Sequence, residues 1–119
     1  MANILVVEDE PALLELLSSI ISEMNHKVTQ ANNGKKALEV LAREKPHLII
    51  SDIMMPFMDG YQLLSEIKQR PEWSNIKVVL ISASPINHSR LPHPDAYASK
   101  PYDLEIIEAV VKRFTNLAF

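Results

Sequence analysis

Three acids, a hydroxyl and a lysine stand at the ends of apolar runs in this 119-residue chain. Glu8 and Asp9 follow the run Ile4 to Val7, and Asp52 ends the stretch LIISD. Ser82 closes IKVVLI, and Lys100 follows DAYAS. If these runs are parallel strands of one sheet, their carboxyl ends form one rim and the carboxylates converge there. Two unit charges about 4 Å apart repel by roughly 4 kcal/mol at an effective dielectric near 20. Three need compensation. A hard divalent cation such as magnesium supplies it through oxygen ligands, and a nearby ammonium group, that of Lys100, supplies it directly.

Each residue also has a plainer reading. Asp52 could cap a helix, but Pro56 and the capped start at Asp59 leave no helix directly after it. Glu8 and Asp9 could be first-turn acids that complement a helix dipole, a role compatible with metal binding. Lys100 by itself is a solvated lysine, and its case rests on the site around it. Many strands end in serine, as at Ser82. His26, His47, His88 and His93 lie in different segments, apart from His88 and His93, which share a loop; a zinc site would want more ligands at closer spacing, and none reads as catalytic.

The elements that must position these residues follow from two periods. Ile4 to Val7 reads as a strand buried on both faces. Pro11 suits a first helical turn, and Leu13, Leu14, Leu17, Ile20, Ile21 and Met24 follow at helical spacing. HKVTQA is a weaker strand near the sheet edge. Asn33-Gly34 marks a turn before a helix over Lys35 to Glu44. Leu48 to Ser51 is a strand, and Asp59 with Gln62 forms a capping box for the next helix. Arg70-Pro71 ends that helix, and Trp73 reads as a surface or hinge residue. Met54, Met55 and Met58 read as a loop packed back on the sheet. Ile76 to Ile81 and Asp95 to Ser99 are the last strands, and Asp103 caps a final helix. Alternating strands and helices predict an α/β fold, a doubly wound five-stranded parallel sheet of flavodoxin-like order 2-1-3-4-5. Such sheets bind ligands at strand carboxyl ends, where the strand order reverses.

Composition narrows the classes. The net charge of -3 argues against a nucleic-acid partner, which needs clustered Lys and Arg. There is no cysteine, hence no disulfide framework and no thiolate metal site. The first apolar run stops after Val7, too short for a signal peptide or a membrane span. The expectation is a cytoplasmic protein of one domain, residues 1–119, with no membrane partner.

Four segments carry a family likeness: VVEDE, SDIMMPFMDG, LISA and YASKP. Each falls at a strand end, and together they resemble the response-regulator receiver domains of two-component phosphorelay signalling over essentially the whole chain. The resemblance implies a phosphoacceptor switch rather than an enzyme, at most capable of self-phosphorylation and slow self-dephosphorylation. Asp52 is then the phosphoacceptor. Glu8, Asp9, Asp52 and the backbone carbonyl of Met54 hold Mg2+. Lys100 and Ser82 meet phosphoryl oxygens, and Tyr97 turns inward when Ser82 moves, although plain core is its simpler role. The implied partners are a histidine kinase or histidine phosphotransfer protein and an unknown downstream protein. A cis Lys100-Pro101 peptide belongs to the same resemblance.

Two departures from the family stand out. Between Ser82 and Lys100 the chain reads ASPINHSRLPHPDAYAS, with Pro85, Pro92 and Pro94 and no glycine to end a helix. The family's fourth helix is expected to be reduced or absent, and this segment to be the most mobile. Met54 and Ser84 occupy positions that tune water access to an acyl phosphate, and an apolar Met cannot orient water. The competing readings are a phosphate-independent docking module of the same fold and a metal-dependent phosphatase. The second would want a substrate pocket and a second general acid beside Asp52, and Ile53 and Met54 supply neither.

Overall fold

The computed structural model describes residues 1–83, 85–100 and 104–115. Strands β1 (Asn3–Val7), β2 (Lys27–Ala31), β3 (Leu48–Asp52), β4 (Lys77–Ser82) and β5 (Ala96–Ser99) alternate with helices α1 (Pro11–Glu23), α2 (Gly34–Arg43) and α3 (Gly60–Lys68). A 3-10 turn, Pro71–Trp73, precedes β4, and α4 (Leu104–Thr115) follows β5. The sheet is parallel throughout, in the order β2-β1-β3-β4-β5. This is the doubly wound order expected from the sequence.

Alternation along the strands divides the core into two layers. Leu5, Val7, Ile49, Val78 and Leu80 face α2, α3 and Trp73. Ile4, Val6, Leu48, Ile50, Val79 and Ile81 face α1 and α4. Burying each such side chain contributes about 1.5–3 kcal/mol. That reward fixes the register, because a one-residue slip would exchange the two faces. Trp73 corrects the surface reading. It is only 7% exposed, because the 3-10 turn folds its ring into the α2–α3 layer.

The local signals act as capping chemistry predicts, with one change. Pro11 opens α1, and Asp59 with Gln62 forms a complete capping box on α3. Asn33-Gly34 is not a free turn: the Asn33 side chain accepts from the Lys36 N–H and caps α2, whose first residue is Gly34.

Among the described residues between β4 and β5 there is no helix, only a turn around His88 to Arg90. The three prolines account for that. Asp95 ties the end of the segment to β4: its N–H donates to the Val78 carbonyl and its Oδ2 accepts from the Val78 N–H, both at 2.8 Å. A cis peptide joins Leu91 to Pro92. The Lys100–Pro101 peptide, Ser84 and the Asp103 cap lie outside the described residues.

Candidate functional site

Backbone pairing places the candidate residues along one rim. Val7 is in register with Ser51, Asp52 with Ile81, and Ser82 with Ser99. Hydrogen bonds continue one step past three strands. Glu8 N–H donates to Ala31 at 3.1 Å, Ile53 N–H to Ile81 at 3.0 Å and Lys100 N–H to Ser82 at 2.9 Å. The rim residues therefore hang from fixed backbone rather than from free loops.

Close packing of α3 under the rim completes the frame. Gly60 N–H donates to the Ile53 carbonyl at 2.8 Å. A Cβ at Gly60 would stand 2.6 Å from the Asp52 carbonyl oxygen and 3.0 Å from Ile53 Cα. Only glycine permits this approach, and the approach sets where Asp52 sits. The sequence alone assigns Gly60 no role. The unused signal is that a glycine follows an N-cap near a strand end, where backbone often meets backbone.

Glu8, Asp9 and Asp52 each present a carboxylate oxygen within a group whose members all lie within 4.8 Å of one another. Glu8 is fully buried and Asp52 is 4% exposed. Lys100 Nζ lies 3.0 Å from Asp52 Oδ2 and 3.1 Å from Glu8 Oε1, bridging the two buried acids. Glu8 Oε2 accepts from the Glu10 N–H at 3.2 Å. Burial, and then the Glu8 charge, push the Asp52 carboxyl up to about 6 against the pull of Lys100. Burial, followed by its contact with Glu8, also raises Asp9. Burial works against the charge on Lys100, but its hydrogen bonds to Asp52 and Glu8 outweigh that and hold its pKa above the usual lysine value. One ammonium does not neutralise three carboxylates. The donor set, all oxygen and locally negative, fits a hard divalent cation.

Ser82 lies buried at the end of β4, the strand paired with β3. Tyr97 lies on the sheet face toward α3, half-buried, and its hydroxyl shares a 2.7 Å hydrogen bond with Tyr61. Burial and that bond push its pKa up to about 12. The Met54 side chain does not pack back on the sheet. It is 71% exposed, whereas Met55 and Met58 do pack against the core. The difference follows from the loop's path: Met54 N–H turns toward Asp52 Oδ1 at 3.4 Å, which leaves its side chain outward. Sequence reasoning also missed Arg90. It pairs with Asp59 at 3.2 Å and lies over the Tyr61 ring at 4.0 Å.

A family model, the response regulator receiver domain, matches residues 4–115. The chain belongs to that family, the receiver domains of two-component signalling. It is 34% identical over 115 residues to response regulator Rre1 of Synechocystis sp., covering 92% of this chain and 50% of that protein. The chain thus spans about half the length of that curated relative. The signal receiver domain of a signal transduction histidine kinase from Syntrophus aciditrophicus superposes with a TM-score of 0.89 at 31% identity, over 99% of this chain and 92% of that one. Response regulator TrrA from Thermotoga maritima, solved in complex with Mg2+ and BeF, gives a TM-score of 0.87 at 31% identity, over 96% and 99%. No helix among the described residues is long and apolar enough to cross a membrane.

Proposed function

We propose that this chain, residues 1–119, is a phosphorylation-controlled switch with Asp52 as phosphoacceptor. The observation that carries the reading is Lys100, which bridges Asp52 and Glu8 inside a group of three carboxylates. In the step proposed, an Asp52 carboxylate oxygen forms a bond to phosphorus as the nitrogen–phosphorus bond of a phosphohistidine breaks. The imidazole nitrogen keeps the bonding pair. The donor is a histidine kinase or a histidine phosphotransfer protein.

Such a transfer is largely positioning and charge stabilisation. Lys100 pairs with one phosphoryl oxygen, and the Ser82 hydroxyl donates to another. Glu8, Asp9, Asp52 and the Met54 carbonyl would hold magnesium, which when bound supplies positive charge to the phosphoryl oxygens. The complex of the Thermotoga relative with Mg2+ and BeF, a phosphoryl mimic, supports this assignment. Ser82 and Tyr97 then relay the change to a downstream protein partner. The chain's chemistry is limited to gaining and losing its own phosphoryl group.

Incubation with magnesium and acetyl phosphate, followed by intact mass measurement, tests the reading. A gain of one phosphoryl group that is absent in Asp52→Asn is expected. No gain from any donor would leave a phosphate-independent docking module as the better account.

A further inference from the structure

The loop between β3 and α3 spends conformational strain on exposing an aromatic ring. Phe57 has φ 71°, and the Met58 N–H donates to the Pro56 carbonyl at 2.8 Å across it. This is a γ-turn of the rare, strained hand, in a left-handed backbone region that disfavours a side chain of this size. Among the described residues, the other left-handed residue that is not glycine is Asn25, which follows the end of α1, where asparagine commonly serves as a stop. Phe57 has no such excuse. Its side chain contributes nothing to the core, being 93% exposed.

The loop is also held firmly. Met55 and Met58 on either side are drawn against the core. Gly60 N–H is tied to Ile53 at one end of the loop, and the Asp59 capping box fixes the other. Phe57 is therefore a pre-positioned apolar knob on the segment that leaves Asp52, the segment that also carries the exposed Met54. Knobs of this kind act as binding anchors, because little ordering remains to be done on association.

We infer that Phe57, with Met54, is the docking anchor for the protein phosphodonor: a surface carrying a phosphohistidine flanked by an apolar pocket. The inference rests on Asp52 being the phosphoacceptor. Asp52 is almost fully buried, and the reacting atoms must come within about 3–3.5 Å. A protein donor that reaches it meets the loop leaving Asp52, and Phe57 is the most exposed large apolar residue of that loop. A small phosphodonor needs no such contact.

The test compares the parent with Phe57→Asn and Phe57→Gly, both suited to a left-handed residue. The protein probe is an autophosphorylated histidine kinase, taken from a panel as the one that labels the parent fastest. The small probe is acetyl phosphate with magnesium. Transfer from the kinase is expected to slow by about tenfold or more, the scale of a lost anchor residue. Labelling by acetyl phosphate and thermal stability should be retained. Unchanged transfer from the kinase would overturn the inference. So would an equal loss with both donors, which would place Phe57 in the chemistry. A parent that is dimeric while both variants are monomeric would assign the knob to a second copy instead. Failure of every kinase in the panel to label a parent that acetyl phosphate does label would also count against it. Failure of acetyl phosphate to label the parent would sink the phosphoacceptor reading itself, a distinguishable result.

Discussion

At Asp52 the fold holds a carboxylate where burial resists its charge. Its folded pKa, about 6, lies above its ordinary value of 3.8. The protonated form is therefore favoured by folding. The stability this contributes is fully present below pH 3.8 and is lost as pH rises through about 6. Asp52→Asn mimics the protonated state at every pH. Without magnesium it should stabilise the chain at pH 7 by on the order of 1–3 kcal/mol, with the gain shrinking toward pH 4. Denaturant unfolding of both proteins across that range checks this, and a variant less stable than the parent at pH 7 would refute it. Magnesium should relieve the same repulsion in the parent, by about 2.7 kcal/mol at one hundred times its Kd. Asp9→Asn removes one of the three acids and should abolish most of that gain, which melting curves with and without magnesium would show. An equal magnesium effect in both proteins would exclude Asp9 from the site.

Elements bring these residues together, and some of that assembly is legible in the sequence. Apolar runs mark β1, β3 and β4, and acids close the first two, so the rim carrying Glu8, Asp9 and Asp52 is legible in the sequence. Three prolines announce the missing helix before β5. Contacts between distant segments carry no periodic signal, and those went unread: Trp73 inside the core, Gly60 against the Asp52 backbone, and Arg90 reaching Asp59 across 31 positions of sequence. Gly60→Ala should show how much rests on such a contact. The added carbon meets backbone that cannot yield, so a loss of about 1–3 kcal/mol is expected. Labelling at Asp52 by acetyl phosphate should weaken as well; a variant that labels and melts like the parent would show that α3 can shift freely. Arg90 tests a looser tie. One Asp59 oxygen accepts from Gln62 N–H and the other pairs with Arg90, so the α3 cap and the β4–β5 segment share one carboxylate. Arg90→Ala should cost less than about 1 kcal/mol of global stability, because the pair is exposed. Amide exchange over residues 85–94 should nonetheless quicken. Unaltered exchange there would mean that Asp95 and the prolines alone hold the segment.

Over the whole molecule, the two rims of the sheet do different work. The carboxyl-end rim carries opposed charge, while the amino-end rim is fastened by histidine side chains that accept from backbone N–H groups. Ala2 N–H donates to His26 Nδ1 and Asn3 N–H to His47 Nδ1, each at 3.0 Å. Protonating the His26 Nδ1 removes an acceptor from a backbone donor. Burial, followed by the positive chain terminus, lowers the His26 pKa below its ordinary 6.5. The stability linked to neutral His26 is therefore present above pH 6.5 and lost as pH falls through its lower folded value. Asp52 has the opposite sign over an overlapping range. In the parent without magnesium the two trends oppose each other on acidification. Asp52→Asn removes one side of that balance, so its stability should fall more steeply on acidification. Adding His26→Asn, which keeps an acceptor near Nδ1 but does not titrate, should flatten the profile again. Unfolding midpoints for the parent, the single variant and the double variant at half-unit pH steps would decide the matter. A double variant as steep as Asp52→Asn alone would show that His26 is not the group that senses acid at the far end of the sheet.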